Sequence, residues 1–157
     1  MYAAFAIGQR WDTSVLLDTD ESGHQAQAKI NAMNLKAYAA DTGHAFRVLM
    51  LGDAAGATDV AIEDIFPDAW YLDCVNRTYG LALKPEDLPE DGSTLITKRV
   101  ETAQKQRQGR QLTKRDVLTA MLRDFDGWKT IEEVPADAAA NGERLFTNIN
   151  AAFGIVD

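Results

Sequence analysis

The chain has 157 residues, 46% hydrophobic and 25% charged, which excludes a disordered tail and suits one domain or a compact domain with a helical extension. Its single cysteine, Cys74, excludes an internal disulfide and argues for a reducing, cytoplasmic setting; two histidines leave a Cys/His zinc site unsupported, and no apolar run nears the ~20 residues of a membrane span. The net charge of −8 argues against nucleic acid as a partner, yet seven of the 16 Lys and Arg residues fall between positions 98 and 115, where only Glu101 opposes them.

Residues 2–10 read as a short helix, because an apolar start without a basic leader or small-residue cleavage site is not a signal peptide. Ser14-Val-Leu-Leu17 is an apolar run that fits a buried strand. Asp18 to Gly23 reads as a loop. A long helix is expected from 24 to about 40, with Ala28, Met33, Leu35 and Ala39 as packing positions and Gly43 at its end. Phe46 to Leu51 is the second strand, followed by Gly52-Asp53 and a small-residue loop from Ala54 to Thr58. Val60-Ala-Ile62 suggests a third, short strand. An aromatic-rich helix covers 68–78 and stops at Gly80.

The stretch Lys84 to Gly92 carries two of the four prolines and is the best internal boundary, dividing residues 1–83 from 84–157. Beyond it the pattern is helical: a basic helix over about 94–108, broken by Gly109, a second helix from an N-cap at Thr113 to about 125, and a last helix over about 136–153. The expected fold class is α/β, a small and mainly parallel sheet flanked by helices, with a C-terminal helical extension.

Two acidic elements follow the strands. Asp18 and Asp20 come directly after the first, where open α/β sheets gather their ligands, and a spacing of two puts both side chains on one side of an extended backbone. Paired carboxylates there favour a hard cation with oxygen ligands, Mg²⁺ or Mn²⁺. The same residue types also make an ordinary helix-capping loop. An EF-hand reading fails because its closing Glu is Lys29 here, and a phosphatase reading with Asp18 as nucleophile lacks a clear later lysine and acidic pair. The second element is Ile62-Glu-Asp-Ile-Phe-Pro67, in which Glu63 and Asp64 stand among apolar residues, costly to bury unless they bind something, although a helix-capping pair explains them equally well. His24 and His44 read as surface residues, Cys74 as core, and Trp11, Trp70 and Trp128 as packing anchors.

Taken in order, Val15 to Gly23, Val48 to Gly52, Ile62 to Pro67, the helix bearing Tyr71, Val75, Asn76 and Tyr79-Gly80, and Leu112-Thr-Lys-Arg-Asp-Val-Leu-Thr-Ala120 resemble the Toprim domain of the overcoming-lysogenisation-defect (OLD) family of nucleases. The resemblance covers roughly residues 1–125. It implies that Asp18 and Asp20 hold Mg²⁺ or Mn²⁺, as one or two ions, with Glu63 a further ligand and Asp64 supporting it. It also implies that Lys114 faces the scissile phosphate, with Lys98 the competing choice. Lys98, Arg99, Lys105, Arg107, Arg110 and Arg115 would hold the DNA backbone without reading its sequence.

The chain departs from the family's pattern in two respects. Toprim domains carry a glutamate upstream of the Asp-x-Asp pair; here the 17 residues before Asp18 contain none, and Asp12 is too close to replace it. No Gly-x-x-x-x-Gly-Lys-Ser/Thr motif of an attached ATPase is present either. The expectation is a fragment, a subunit completed by a partner such as an ABC-type ATPase or a second copy in a homodimer, or a decayed copy. The functional expectation is a metal-dependent DNA endonuclease. The alternative is a non-catalytic Toprim-like module that binds DNA or a partner ATPase, and a primase- or topoisomerase-like activity ranks third.

Overall fold

The computed structural model of the chain describes residues 12–55, 58–90, 92–108 and 112–155. The expected helix over 2–10, Trp11, Gly109 and Arg110 lie outside them. Among the described residues there are seven α-helices and two β-strands, so the α/β expectation holds in its broad form, with helix dominant. None of these helices is long and apolar enough to cross a membrane. Contacts divide the chain into two compact units, Met1–Ala61 with Glu143–Asp157, and Ile62–Gly142.

In the first unit, β1 (Thr13–Leu17) and β2 (Phe46–Met50) form a two-stranded parallel sheet, with Thr13 opposite Phe46 and Leu17 opposite Met50. Parallel strands need a crossover. It is made by α1 (Glu21–Ala32) and α2 (Leu35–Asp41). The single helix expected over 24–40 is therefore two. Asn34 separates them with φ +53°, a left-handed conformation that asparagine tolerates better than most residues. The break turns Met33 out to solvent, 55% exposed, while Ala39 is buried beside Phe46, with Val15, Ile30, Leu35 and Val48 packed around them. Ala28, a second expected packing position, is exposed.

Leu51, expected to end the second strand, instead opens a short helix, α3 (Leu51–Ala55). The third strand expected at Val60–Ile62 does not form. Val60 and Ala61 are buried, but the Val60 carbonyl accepts the Thr19 amide at 2.8 Å, and Ile62 begins a 3₁₀ turn over Ile62–Ile65. A run that short, ending against Glu63, Asp64 and then Pro67, has no length in which to build a ladder.

The second unit is helical. Its core joins Tyr71, Leu72, Cys74 and Val75 of α4 (Asp68–Tyr79), Ile96, Val100 and Ala103 of α5 (Ile96–Gln108), and Val117, Ala120 and Met121 of α6 (Lys114–Gly127). Gly80 ends α4 in the left-handed conformation, φ +64°, that residues with a Cβ rarely adopt. Asn76 then fastens the chain after it, donating from Nδ2 to the Leu83 carbonyl at 2.8 Å and accepting the Leu83 amide at 2.9 Å. Leu83 and Leu88 belong to this same core, so the proline-rich stretch from Lys84, with its 3₁₀ turn at Pro85–Asp87, lies inside the second unit. Trp70 and Trp128 cluster with Phe66 and Phe125, the contacting ring centroids 4.5–5.9 Å apart, the packing role expected of the two tryptophans. The last helix, α7, spans Ala136–Ala152.

Candidate metal centre

Asp18, Thr19 and Asp20 occupy the carboxyl end of β1 in the first unit, where a parallel sheet presents its ligands. Thr19 fixes the segment, a part the sequence does not advertise. Its amide donates to the Val60 carbonyl, and its Oγ1 accepts the Gly52 amide at 2.5 Å, tying the end of β1 to the start of α3. Asp20 is the N-cap of α1: Oδ1 accepts from the Gly23 amide and from Ser22 Oγ, both at 2.8 Å. Two of the four amides a helix start leaves unpaired are those a cap satisfies best. Gly23 is required for a separate reason. A Cβ built there would stand 1.8 Å from the Asp18 carbonyl oxygen, so only glycine lets the helix start approach the strand end.

Asp12 lies at the other end of the sheet. It accepts the Ala45 amide at 2.7 Å, which holds its carboxyl below the usual range, and stands 3.5 Å from His44 Nδ1. Cys74 is fully buried, with Sγ 3.7 Å from Asp124.

In the second unit the 3₁₀ turn at Ile62–Ile65 presents both expected acids. Asp64 Oδ1 accepts the Ile96 amide at 2.8 Å and so caps the start of α5 from a distant part of the chain. Glu63 faces differently. Its side chain is 14% exposed, its Oε1 lies 3.5 Å from Lys114 Nζ, and its Oε2 is buried with no hydrogen-bond partner among the described residues. Lys114 opens α6, an unfavourable place for a cation because the helix dipole puts positive charge there. Nearby, burial raises the Tyr71 phenol far above its ordinary value, and the fields of Glu63, Glu101 and Asp64 push the same way.

Of the two lysines weighed for the phosphate, Lys114 is the one brought against an expected acid; Lys98 is exposed on α5 with no ion pair among the described residues. Lys105 and Arg115 are likewise exposed and unpaired among those residues. Arg99 is spent locally, 2.9 Å from Asp68 and donating to the Pro89 carbonyl, and Arg107 pairs with Asp87. An open groove of about 290 Å³ in this unit is lined by Arg77, Thr78, Asp116, Thr119, Ala120 and Arg123, none of them an expected site residue.

No group of three or more His, Cys, Asp or Glu side chains stands close enough to hold a metal ion among the described residues. The donor chemistry nevertheless suits a hard cation. Mg²⁺ keeps several of its waters and needs only one or two protein carboxylates together with substrate phosphates, and Glu63 offers a carboxylate oxygen with no hydrogen-bond partner among the described residues. The chain matches no protein-family model, no curated protein and no solved structure.

Proposed function

We propose that the chain is a metal-dependent DNA endonuclease domain of the Toprim type found in OLD-family nucleases. The observation that carries the proposal is the second unit's pair, Glu63 with a buried, unpartnered Oε2 and Lys114 at 3.5 Å from its Oε1. A buried carboxylate oxygen without a donor costs free energy on the order of 1–3 kcal/mol or more, which binding a cation recovers. Glu63 is the residue of the second unit that would hold Mg²⁺ or Mn²⁺, with Asp64 fixing the start of α5 beside it; in the first unit, taken by itself, that role would fall to Asp18 and Asp20. Bound there, the ion would supply charge neutralisation at the scissile phosphate and a more acidic water.

The chain's own residues do the rest. Lys114, paired with Glu63 at rest, offers a positive charge to the phosphate as negative charge builds on its oxygens. Thr19 holds the loop that carries Asp18 and Asp20. Lys98, Lys105 and Arg115, exposed and unpaired among the described residues, suit non-specific contact with the DNA backbone. Arg99 and Arg107 already serve acids of their own unit and suit this less.

A specific observation favours the second reading, a non-catalytic module that binds DNA or a partner ATPase: Asp20 and Asp64 both spend an oxygen on capping a helix. Incubation of the protein with supercoiled plasmid in Mg²⁺ or Mn²⁺ separates the two. Nicking that disappears in Lys114→Ala supports the endonuclease; retention of plasmid in a gel shift without any nicking supports the module.

A further inference from the structure

The second face of the two-stranded sheet carries polar groups that neither reading uses. Val15, Phe46 and Val48 pack with the residues of α1 and α2 on one face, so alternation along the strands puts Ser14 and Arg47 on the other. The two are register partners in the parallel ladder and therefore lie side by side. Ser14 Oγ and Arg47 Nη1 are both buried, and neither has a hydrogen-bond partner among the described residues. The ring of Phe153 covers the guanidinium, its centroid 5.1 Å from Cζ.

Cation–π contact offsets only part of the cost of burying a charged donor that has no acceptor. The charge of Arg47 acts on Asp12 only as the smallest of several influences, and that carboxylate is engaged by the Ala45 amide and by His44. A water molecule would satisfy the Ser14 hydroxyl but would bring no negative charge to Arg47 Nη1. An anion satisfies both. Ser14 and Arg47 are partly exposed as residues, although these two atoms themselves are buried.

We propose that Arg47 and Ser14 form a binding site for a small oxyanion, a phosphoryl or carboxylate group, with Arg47 Nη1 and Ser14 Oγ as adjacent donors and Phe153 as the wall. One charged donor beside one hydroxyl matches two oxygens of such a group, and charge-assisted bonds of this type are the strong ones. The site is independent of the nuclease proposal and stands if that proposal fails.

The test is NMR titration of the whole chain with inorganic phosphate and, separately, with sodium acetate, using sodium chloride at equal ionic strength as the control. Saturable shifts at the amides of Ser14, Arg47 and Phe153 are expected with an oxyanion and not with chloride. Affinity should fall about ten-fold in Ser14→Ala, the loss of one bond to a charged group, and binding should vanish in Arg47→Met. Tighter phosphate identifies a phosphoryl ligand and tighter acetate a carboxylate ligand; both uphold the site. The absence of saturable shifts in the wild type, an equal response to chloride, or undiminished affinity in Ser14→Ala overturns it, and the serine variant decides the matter if Arg47→Met does not fold.

Discussion

Lys114 Nζ stands 3.5 Å from Glu63 Oε1, joining the start of α6 to a 3₁₀ turn far away in sequence. Lys114 is 51% exposed and Glu63 only 14%, so the lysine brings charge from the solvent side to a carboxylate that burial disfavours. The pair is asymmetric. Removing the lysine leaves a buried charge alone, whereas removing both leaves nothing to compensate. We expect Lys114→Ala to lower stability by about 1–2 kcal/mol. Lys114→Ala combined with Glu63→Gln should be less damaged than the sum of the single variants, with a coupling of about 0.5–1 kcal/mol given the exposure of the lysine. Urea denaturation of the four proteins measures it, and additive effects would show that the two groups do not interact.

Gly23 meets the Asp18 carbonyl where a Cβ would stand 1.8 Å from the oxygen. The obstacle is backbone, which cannot rotate aside as a side chain would. Gly23→Ala is expected to cost about 2–3 kcal/mol by forcing the start of α1 away from the strand end. Thermal melting reads the loss, and a melting temperature equal to that of the wild type would refute the close approach.

Asp20 has two roles that substitution can separate. Asparagine caps a helix as well as aspartate does, so Asp20→Asn should keep the bond from the Gly23 amide and leave stability within about 0.5 kcal/mol of the wild type, while Asp20→Ala should lose about 1 kcal/mol. If the carboxylate serves a metal as well, both variants lose Mg²⁺-dependent nicking alike. Full nicking by Asp20→Asn would assign Asp20 to capping alone.

Cys74 is buried at the centre of the second unit, and burial, then the charge of Asp124, pushes its thiol up to about 11 from the ordinary 9.0. In the unfolded chain the thiol ionises near its ordinary value, whereas in the folded chain it stays neutral until about 11. The contribution to stability is therefore complete below pH 9 and is lost as pH rises from 9 to 11. Alkylation of the native protein by iodoacetamide should be slow at pH 8 and rise steeply toward pH 11. Rapid labelling at pH 8 would contradict this environment.

Local patterns carry much of this fold. Apolar runs announce both strands, and Gly80 and Thr113 mark helix ends where they occur, because strand burial and helix termination depend on neighbouring residues. The break at Asn34 does not show in the spacing of apolar residues, since one left-handed residue can redirect a helix without altering its composition. Val60-Ala-Ile62 resembles a strand by residue type, but the Val60 carbonyl is taken by Thr19. The division into units is set by long-range packing: Leu83 and Leu88 join one core across the proline-rich stretch that looks like a boundary. The positions of Asp18 and Asp20 in the first unit, and of Glu63, Asp64 and Lys114 in the second, are legible as motifs. The caps made by Asp20 and Asp64, and the meeting of Glu63 with Lys114, depend on which backbone amides and side chains the fold brings near, and spacing alone does not contain that.

The most direct measurement is the rate of plasmid nicking at saturating Mg²⁺ by the wild-type protein and by Glu63→Gln, which keeps the size of the side chain and removes its charge. The account expects nicking by the wild type that stops on chelation, and a rate at least about 100-fold lower in the variant, the scale of losing one electrostatic element of a hydrolytic site. Nicking by Glu63→Gln at the wild-type rate, or a wild-type protein that binds plasmid and never cuts it, would contradict it.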